Sequence, residues 1–367
     1  EIETPGEGQV KALITVAGNP VLSTPGGHRL DEVLPRLDVM IAVDLWINET
    51  TRHADVILPP PPPSRSPHFD FALNAVAVRN NARYSPPVLP LQGRPDEAQI
   101  LSRIALVLYG IGVDADPALV DEQVIATTLA KETADAGSPV AGRAVDELTA
   151  MLDDGPGYER RLDMMLRLGA YGDAFGARPD GLTLKQLKAA PHGIDLGPLK
   201  PRLPDLLRTP SGRIELAPPQ LIADTARLRA SVGHRGDGFV LIGRRHLRSN
   251  NSWMHNLPAL TGGSNRCTLQ IHPDDAADLG LSDTAVVKGP GGELVVPIEI
   301  TDDIRRGVLS LPHGWGHDRA GTGQSLAAAS PGVNVNQLND GSLLDPLSGT
   351  AVLNGIPVTV GPAGASG

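Results

Sequence analysis

The hydrophobic pattern of the first sixty residues alternates between two kinds of segment. Ala12-Leu13-Ile14-Thr15-Val16-Ala17 and Val39-Met40-Ile41-Ala42-Val43 are short continuous apolar runs, closed by Gly18-Asn19-Pro20 and by Asp44. Runs of this length without polar alternation predict strands buried on both faces. Between them, Leu30, Val33, Leu34 and Leu37 recur at helical spacing. A third run, Ala54 to Leu58, stops at Pro59 to Pro63, where the missing amide donors end sheet pairing. Farther on, Ile100, Leu101, Ile104, Ala105 and Leu108 form one helical stripe. Strand, helix and strand in this order predict an open α/β sheet.

From about 114 to 205 the apolar positions keep helical spacing (Val120, Val124, Leu129; Leu162, Met165, Leu166, Leu168) but are broken at Gly155-Pro156-Gly157 and by the prolines of 198–204. Several short helices and an extended linker are expected there. From about 206 the pattern turns to strands: Arg213 to Leu216, Phe239 to Ile242, Thr268 to Ile271, Ala285 to Lys288 and Leu294 to Ile300. Gly289-Pro290-Gly291-Gly292 between the last two is a hairpin signal. One helix, around Pro273 to Leu279, interrupts. This half is expected to close as a small β-barrel. The expected division is therefore an α/β domain with a helical C-terminal extension over 1–205 and a barrel domain over 206–367, ending in a Gly-rich tail.

Composition sharpens this picture. Among 367 residues, 41 Gly and 34 Pro against 3% aromatic residues predict many turns and cores of Val, Leu, Ile and Ala. A net charge of -10, from 32 Lys and Arg against 42 Asp and Glu, argues against nonspecific affinity for nucleic acid or an anionic membrane. One cysteine, Cys267, excludes an intrachain disulfide, a four-cysteine zinc site and an iron-sulfur cluster within this chain. It reads as a buried structural thiol. No apolar run reaches the roughly 20 residues of a membrane-spanning helix, and the start at Glu1 carries neither Met nor a signal peptide. A cytoplasmic piece of a longer chain is expected, without a nucleic-acid or membrane partner.

Open α/β sheets take ligands beyond the carboxyl ends of their strands, where loops present unpaired amides. Gly18, Asn19 and Pro20, then Asp44 and Asn48-Glu49-Thr50-Thr51, lie there. The turn lacks GxGxxG, which argues against NAD or FAD bound in the usual way. Asp44 suits guanine, whose adjacent N1–H and N2–H donors one carboxylate accepts; the simpler reading is a turn cap. In the second half, Arg244 to Asn256 packs guanidinium, imidazole and amide groups after a strand, a composition for a phosphate-bearing polar heterocycle or for a solvated loop. His313-Gly314-Trp315-Gly316-His317 is either a metal site, and so the seat of a hydrolase, or a glycine-rich loop docked on a ligand; two histidines without a third ligand favour the loop. Asn334 and Asn336 share a face if Val333 to Asn336 is a strand. Ser211 lacks the nucleophile-elbow context, and Asp274-Asp275 and Asp302-Asp303 read as helix starts or turns.

Ala17-Gly18-Asn19-Pro20 and the stretch from Val43-Asp44 through Asn48-Glu49-Thr50-Thr51-Arg52-His53-Ala54-Asp55-Val56-Ile57-Leu58-Pro59 resemble the third domain of the molybdopterin oxidoreductases, the dimethyl sulfoxide reductase family. Thr209 to Glu215 resembles the entry to that family's fourth domain. His272-Pro273-Asp274-Asp275-Ala276, Pro312-His313-Gly314-Trp315-Gly316 and Asn336-Gln337-Leu338 resemble its dinucleotide-binding barrel, and Arg245 to Asn256 its formate-dehydrogenase-like branch. The resemblance implies a Rossmann-like α/β domain followed by a double-psi β-barrel. It also implies molybdopterin guanine dinucleotide, two copies of which hold one molybdenum or tungsten. Cofactor binding is carried to Gly18, Asn19, Pro20, Asp44, Glu49, Thr50 and Asp55, and in the barrel to Arg245, His246, Asn251, Ser252, His255, Trp315 and Asn336. No residue of this chain is carried over as catalytic or as a metal ligand.

The expectation is the C-terminal portion of such an oxidoreductase, performing two-electron or oxygen-atom transfer with domains preceding Glu1 and inactive by itself. Any iron-sulfur cluster would sit in those domains, and an electron-transfer partner is implied without being identified. The alternative is a stand-alone protein that binds a guanine nucleotide or the pterin dinucleotide without catalysis.

Overall fold

The structure, a computed structural model, describes residues 1–233 and 238–364; the end of the Gly-rich tail lies outside them. By packing the chain forms two units, one joining Glu1–Pro59 to Ile214–Gly367 and the other made of Pro60–Arg213. Packing thus groups the first sixty residues with the barrel and not with the helices that follow them in sequence.

In the first unit, β1 (Ala12–Val16) and β2 (Val39–Val43) pair in parallel, Ala12 opposite Val39 through Val16 opposite Val43. β3 (Val56–Ile57) joins the other edge of β2, also in parallel. The crossover runs through α1 (Pro20–Ser23) and α2 (Gly27–Val33), and Val21, Leu34 and Met40 form the small core beneath it. The expectation of strands buried on both faces holds for little more than β2. Val16 on β1 and Val56 on β3 are 55% and 44% exposed, because a three-stranded sheet leaves two of its three strands as edges, and Val39, the first residue of β2, is 38% exposed.

The second unit carries two short antiparallel ribbons: β4 (His68–Phe69) with β6 (Tyr84–Ser85), and β5 (Arg79–Ala82) with β7 (Ile194–Pro198). Its helices are α3 (Glu97–Leu108), α4 (Ala118–Ala134), α5 (Val145–Ala150), α6 (Gly157–Leu168) and α7 (Leu184–Lys188). Asp96 and Gln99 cap the start of α3 reciprocally. Ile125, Leu129, Leu148, Met164 and Phe175 make the main core of this unit. The stripe on α3 is real, with Ile100 and Leu106 buried, but it belongs to this helical unit and not to the sheet.

The barrel closes in the order β10-β11-β9-β12-β8-β13. Its strands are β8 (Phe239–Arg244), β9 (Leu269–Ile271), β10 (Thr284–Gly289), β11 (Gly292–Ile300), β12 (Val308–Pro312) and β13 (Ile356–Pro362). Period-two alternation turns Ala285 and Val287, Leu294 and Val296, and Leu309 and Leu311 inward, where they meet Leu241, Leu269 and Ile271. Closure leaves no free edge, and each fully buried Leu, Ile or Val contributes about 1.5–3 kcal/mol. The expected hairpin is present: Gly289 pairs with Gly292 across Pro290 and Gly291.

Three sequence expectations fail in this region. Residues Arg213 to Leu216 form no strand; Ile214 and Leu216 are 58% and 91% exposed, with no neighbouring strand to pair with. α8 (Pro219–Ser231) and α9 (Pro258–Thr261) add helices besides the expected α10 (Pro273–Asp278); α8 buries none of its residues, so its apolar signal is weak. Val333 to Asn336 is not a strand either. Val335–Leu338 is a 3-10 turn, and the Asn334 side chain caps it by accepting from the Asn336 amide. Among the described residues no helix is long and apolar enough to cross a membrane.

Candidate functional site

The carboxyl ends of β1 and β2 meet the barrel loops after β8 and β12, all within the first unit. After β1, Ala17 adopts a left-handed conformation and Asn19 precedes α1. The Asn19 amide donates to Glu49 Oε2 at 2.7 Å, and its carbonyl oxygen accepts from the Thr50 hydroxyl at 2.8 Å. Thr50 Oγ1 accepts in turn from the Val21 amide. After β2, Asp44 folds the loop on itself: Oδ1 accepts from the Trp46 amide and Oδ2 from the Asn48 side chain. The Asn48 carbonyl oxygen then takes the amides of Thr50 and Thr51. Burial raises the Asp44 carboxyl above the usual range against these hydrogen bonds.

The barrel side supplies imidazoles. His317 Nδ1 lies 2.8 Å from Glu49 Oε1, His317 Nε2 lies 2.8 Å from His255 Nδ1, and His255 Nε2 lies 2.8 Å from Ser249 Oγ. These four side chains are 0% to 4% exposed. Burial pushes the Glu49 carboxyl up, but hydrogen bonds from His317 and Asn19 outweigh it and leave it below its ordinary range. His255 is pushed down to about 4, first by burial and then by His317 and His246, against Glu49 and the Gly314 carbonyl. Trp315 stacks on His255 with ring centroids 3.9 Å apart.

The loop carrying Trp315 needs its glycines. A Cβ on Gly314 would fall 2.1 Å from the Asn251 carbonyl oxygen, and one on Gly316 2.7 Å from Asn334 Cβ, and both residues have positive φ. The loops at these points therefore pack backbone to backbone. Beside them a cavity of about 200 Å³ is lined by Ser23, Arg244, Arg245, His313, Asn336 and Asn354, with others. Arg245 donates to His313 Nε2 at 2.7 Å, and Asn336 donates to the Leu22 carbonyl at 2.6 Å.

Of the residues singled out from the sequence, the structure brings Asn19, Glu49, Thr50, His255 and Trp315 into one network, and Arg245 and Asn336 to the cavity. Gly18 and Pro20 shape the turn between β1 and α1; a Cβ on Gly18 would meet only ordinary van der Waals neighbours, Pro20 and the Val16 carbonyl oxygen, at 3.9 Å. Asp55 lies apart, with its carboxylate accepting from the Met40 amide. Asn251 adopts a left-handed conformation and is exposed, Ser252 accepts from the His255 amide through its carbonyl, and His246 accepts from the Arg248 amide. The hydrolase alternative loses its geometry, because His313 bonds to Arg245 while His317 bonds to Glu49 and His255. Among the described residues no group of three or more His, Cys, Asp or Glu is placed to hold a metal. Ser249 escapes sequence reasoning: nothing local distinguishes it from the polar residues around it. Cys267 is buried, as expected.

A closed barrel thus carries a small cavity lined by two arginines, a histidine and two asparagines, with others. Residues 239–357 match the family described as the Molydopterin dinucleotide binding domain. The chain is 40% identical over 58 residues to the assimilatory nitrate reductase catalytic subunit of Bacillus subtilis (strain 168), covering 16% of this chain and 8% of that one. It is 26% identical to a tetrathionate reductase chain of Salmonella typhimurium over 96% of this chain and 39% of that protein. The solved structure of acetylene hydratase from Pelobacter acetylenicus shares the fold, with a TM-score of 0.63 at 16% identity over 97% of this chain and 44% of that one. The chain thus spans less than half of each of these relatives. These similarities support a molybdopterin oxidoreductase family for the chain.

The cofactor of this family is molybdopterin guanine dinucleotide with molybdenum or tungsten. The residues present fit it. Both Arg244 and Arg245 line the cavity, but the Arg244 guanidinium is taken up by the Ser310 carbonyl and the Thr268 hydroxyl, so it is Arg245, exposed and bonded among the described residues only to His313, that offers further donors to phosphate oxygens. The Trp315 indole Nε1 is buried with no hydrogen-bond partner among the described residues, a donor that a bound acceptor would satisfy.

Proposed function

We propose that the chain is the dinucleotide-holding portion of a bis(molybdopterin guanine dinucleotide) oxidoreductase of the formate-dehydrogenase-like branch. By descent, residues 1–205 are the family's Rossmann-like third domain and 206–367 its double-psi barrel. The observation that carries the reading is the cavity lined by Arg244, Arg245, His313 and Asn336 inside the matched barrel. When bound, the cofactor's metal supplies two-electron or oxygen-atom transfer.

The chain's own residues bind and orient. Arg245, turned toward the cavity and bonded to His313, holds phosphate oxygens, while Trp315 donates its indole N–H. Asn336 fixes the floor by tying the barrel to the Leu22 carbonyl. Asp44, with both oxygens already accepting one bond each, meets guanine through its remaining lone pairs. The Arg245 to Asn256 motif supports the branch.

The test is to purify the protein from cells supplied with molybdate and tungstate, then to hydrolyse the bound cofactor in acid. Release of GMP together with molybdenum or tungsten is expected, reduced about tenfold in Arg245→Ala, as the loss of one charge-assisted contact implies. Release of another nucleotide, or of none, would overturn the reading.

A further inference from the structure

Glu49 reads from the sequence as a cofactor contact, yet it is 0% exposed and both of its oxygens are occupied by protein donors. An ionised carboxylate only accepts, so His317 must carry its proton on Nδ1. Neutral His317 then offers Nε2 as an acceptor, and the group facing it is His255 Nδ1 at 2.8 Å. His255 must therefore also be an Nδ1–H tautomer, which leaves its Nε2 to accept from the Ser249 hydroxyl at 2.8 Å. With His317 neutral, each further partner in the line has one arrangement open to it, whereas a doubly protonated His317 would donate from Nε2 and reverse the two bonds beyond it.

We propose that Glu49 is a positioning residue that orders every proton in the line Ser249, His255, His317, so that all three hydrogen bonds run toward its carboxylate and both imidazoles stand as neutral Nδ1–H tautomers. Both nitrogens of each ring are then used, and neither histidine is free to ligate a metal or to donate to a ligand. What the line presents outward is the neutral face of His255, on which Trp315 stacks. Trp315 keeps the free donor. The order crosses from the loop after β2 to the loops after β8 and β12, so it also ties residues 1–59 to the barrel. The titratable groups acting on His255 are His317, His246 and Glu49; the one acting on Glu49 is His317. This inference concerns the chain's own protons and stands whether or not the cofactor reading does.

Two-bond proton–nitrogen correlation spectra of the full chain, labelled with nitrogen-15 in histidine, read tautomers directly. His255 and His317 would be assigned by their Gln variants. At pH 7 both rings should show the neutral Nδ1–H pattern. Glu49→Leu removes the terminal acceptor and should reverse the line, turning both rings to Nε2–H with Ser249 accepting. Glu49→Gln keeps an acceptor oxygen and should retain the Nδ1–H pattern. An Nε2–H or imidazolium pattern at either ring in the unaltered chain overturns the proposal, and so does a Glu49→Leu protein with unchanged tautomers. If Glu49→Leu does not fold, the unaltered chain and Glu49→Gln decide it.

Discussion

His317 Nδ1 sits 2.8 Å from Glu49 Oε1, and 268 positions of sequence separate the two residues. The pair lies 1% and 0% exposed at the seam between the three-stranded sheet and the barrel. A buried acceptor of this kind is costly when left without its donor, because the carboxylate then faces a low-dielectric interior unpaired.

Replacing His317 by Ala should therefore destabilise the first unit by about 3–5 kcal/mol. Urea unfolding would show this as a lower midpoint. Substituting both Glu49 and His317 with apolar residues should cost less than His317→Ala alone, since no orphaned charge remains.

Acid should weaken the same seam. His255 is held at about 4, below its ordinary value near 6.5, so the unfolded chain binds a proton that the folded chain refuses. The stabilisation is complete above pH 6.5 and is lost as pH falls from 6.5 toward 4, by up to about 3 kcal/mol. Glu49, held below its ordinary value, adds a further loss below about pH 4.5 as it takes up a proton on unfolding. Urea midpoints measured between pH 8 and 4 should fall along this course, and His255→Gln should flatten the upper part.

The Asn336 side chain donates to the Leu22 carbonyl at 2.6 Å across 314 positions. Asn336→Ala leaves that buried carbonyl unsatisfied, at a cost of about 1–3 kcal/mol. Thermal unfolding checks the loss, and hydrogen exchange should locate its effect at the α1 turn, whose buried Leu22 then lacks its tether.

Gly314→Ala places a methyl group 2.1 Å from the Asn251 carbonyl oxygen, in a backbone conformation with φ of 89°. One of the two loops must move, and strain of about 1–3 kcal/mol is expected. Near-ultraviolet circular dichroism, sensitive to the Trp315 stack on His255, should change together with a lowered melting temperature.

Much of the architecture is legible in local pattern. Alternation at Ala285 and Val287 and at Leu294 and Val296 announces barrel strands, because period two turns such residues to one face wherever the strand is placed. The α8 helix escapes the same logic, since a helix that buries none of its residues needs no apolar stripe. Of the site, the motif residues Asn19, Glu49, His255 and Trp315 are visible as a set. Their roles are not: Glu49 reads as a ligand contact until both its oxygens are found spoken for.

Side-chain period and composition suffice for the barrel half, the β1 and β2 strands, the exclusion of an intrachain disulfide by a single cysteine and the group of loops from which the site is built. Such signals act over a few residues and survive in any linear reading of the chain. Packing in three dimensions settles the rest: residues 1–59 join the barrel, Asp55 stands apart, Asn334 caps the turn that contains Asn336, and Ser249 ends a line reaching Glu49. Those facts depend on which hydrogen-bond donor meets which acceptor when the barrel closes, and partners hundreds of residues apart leave no local trace of one another.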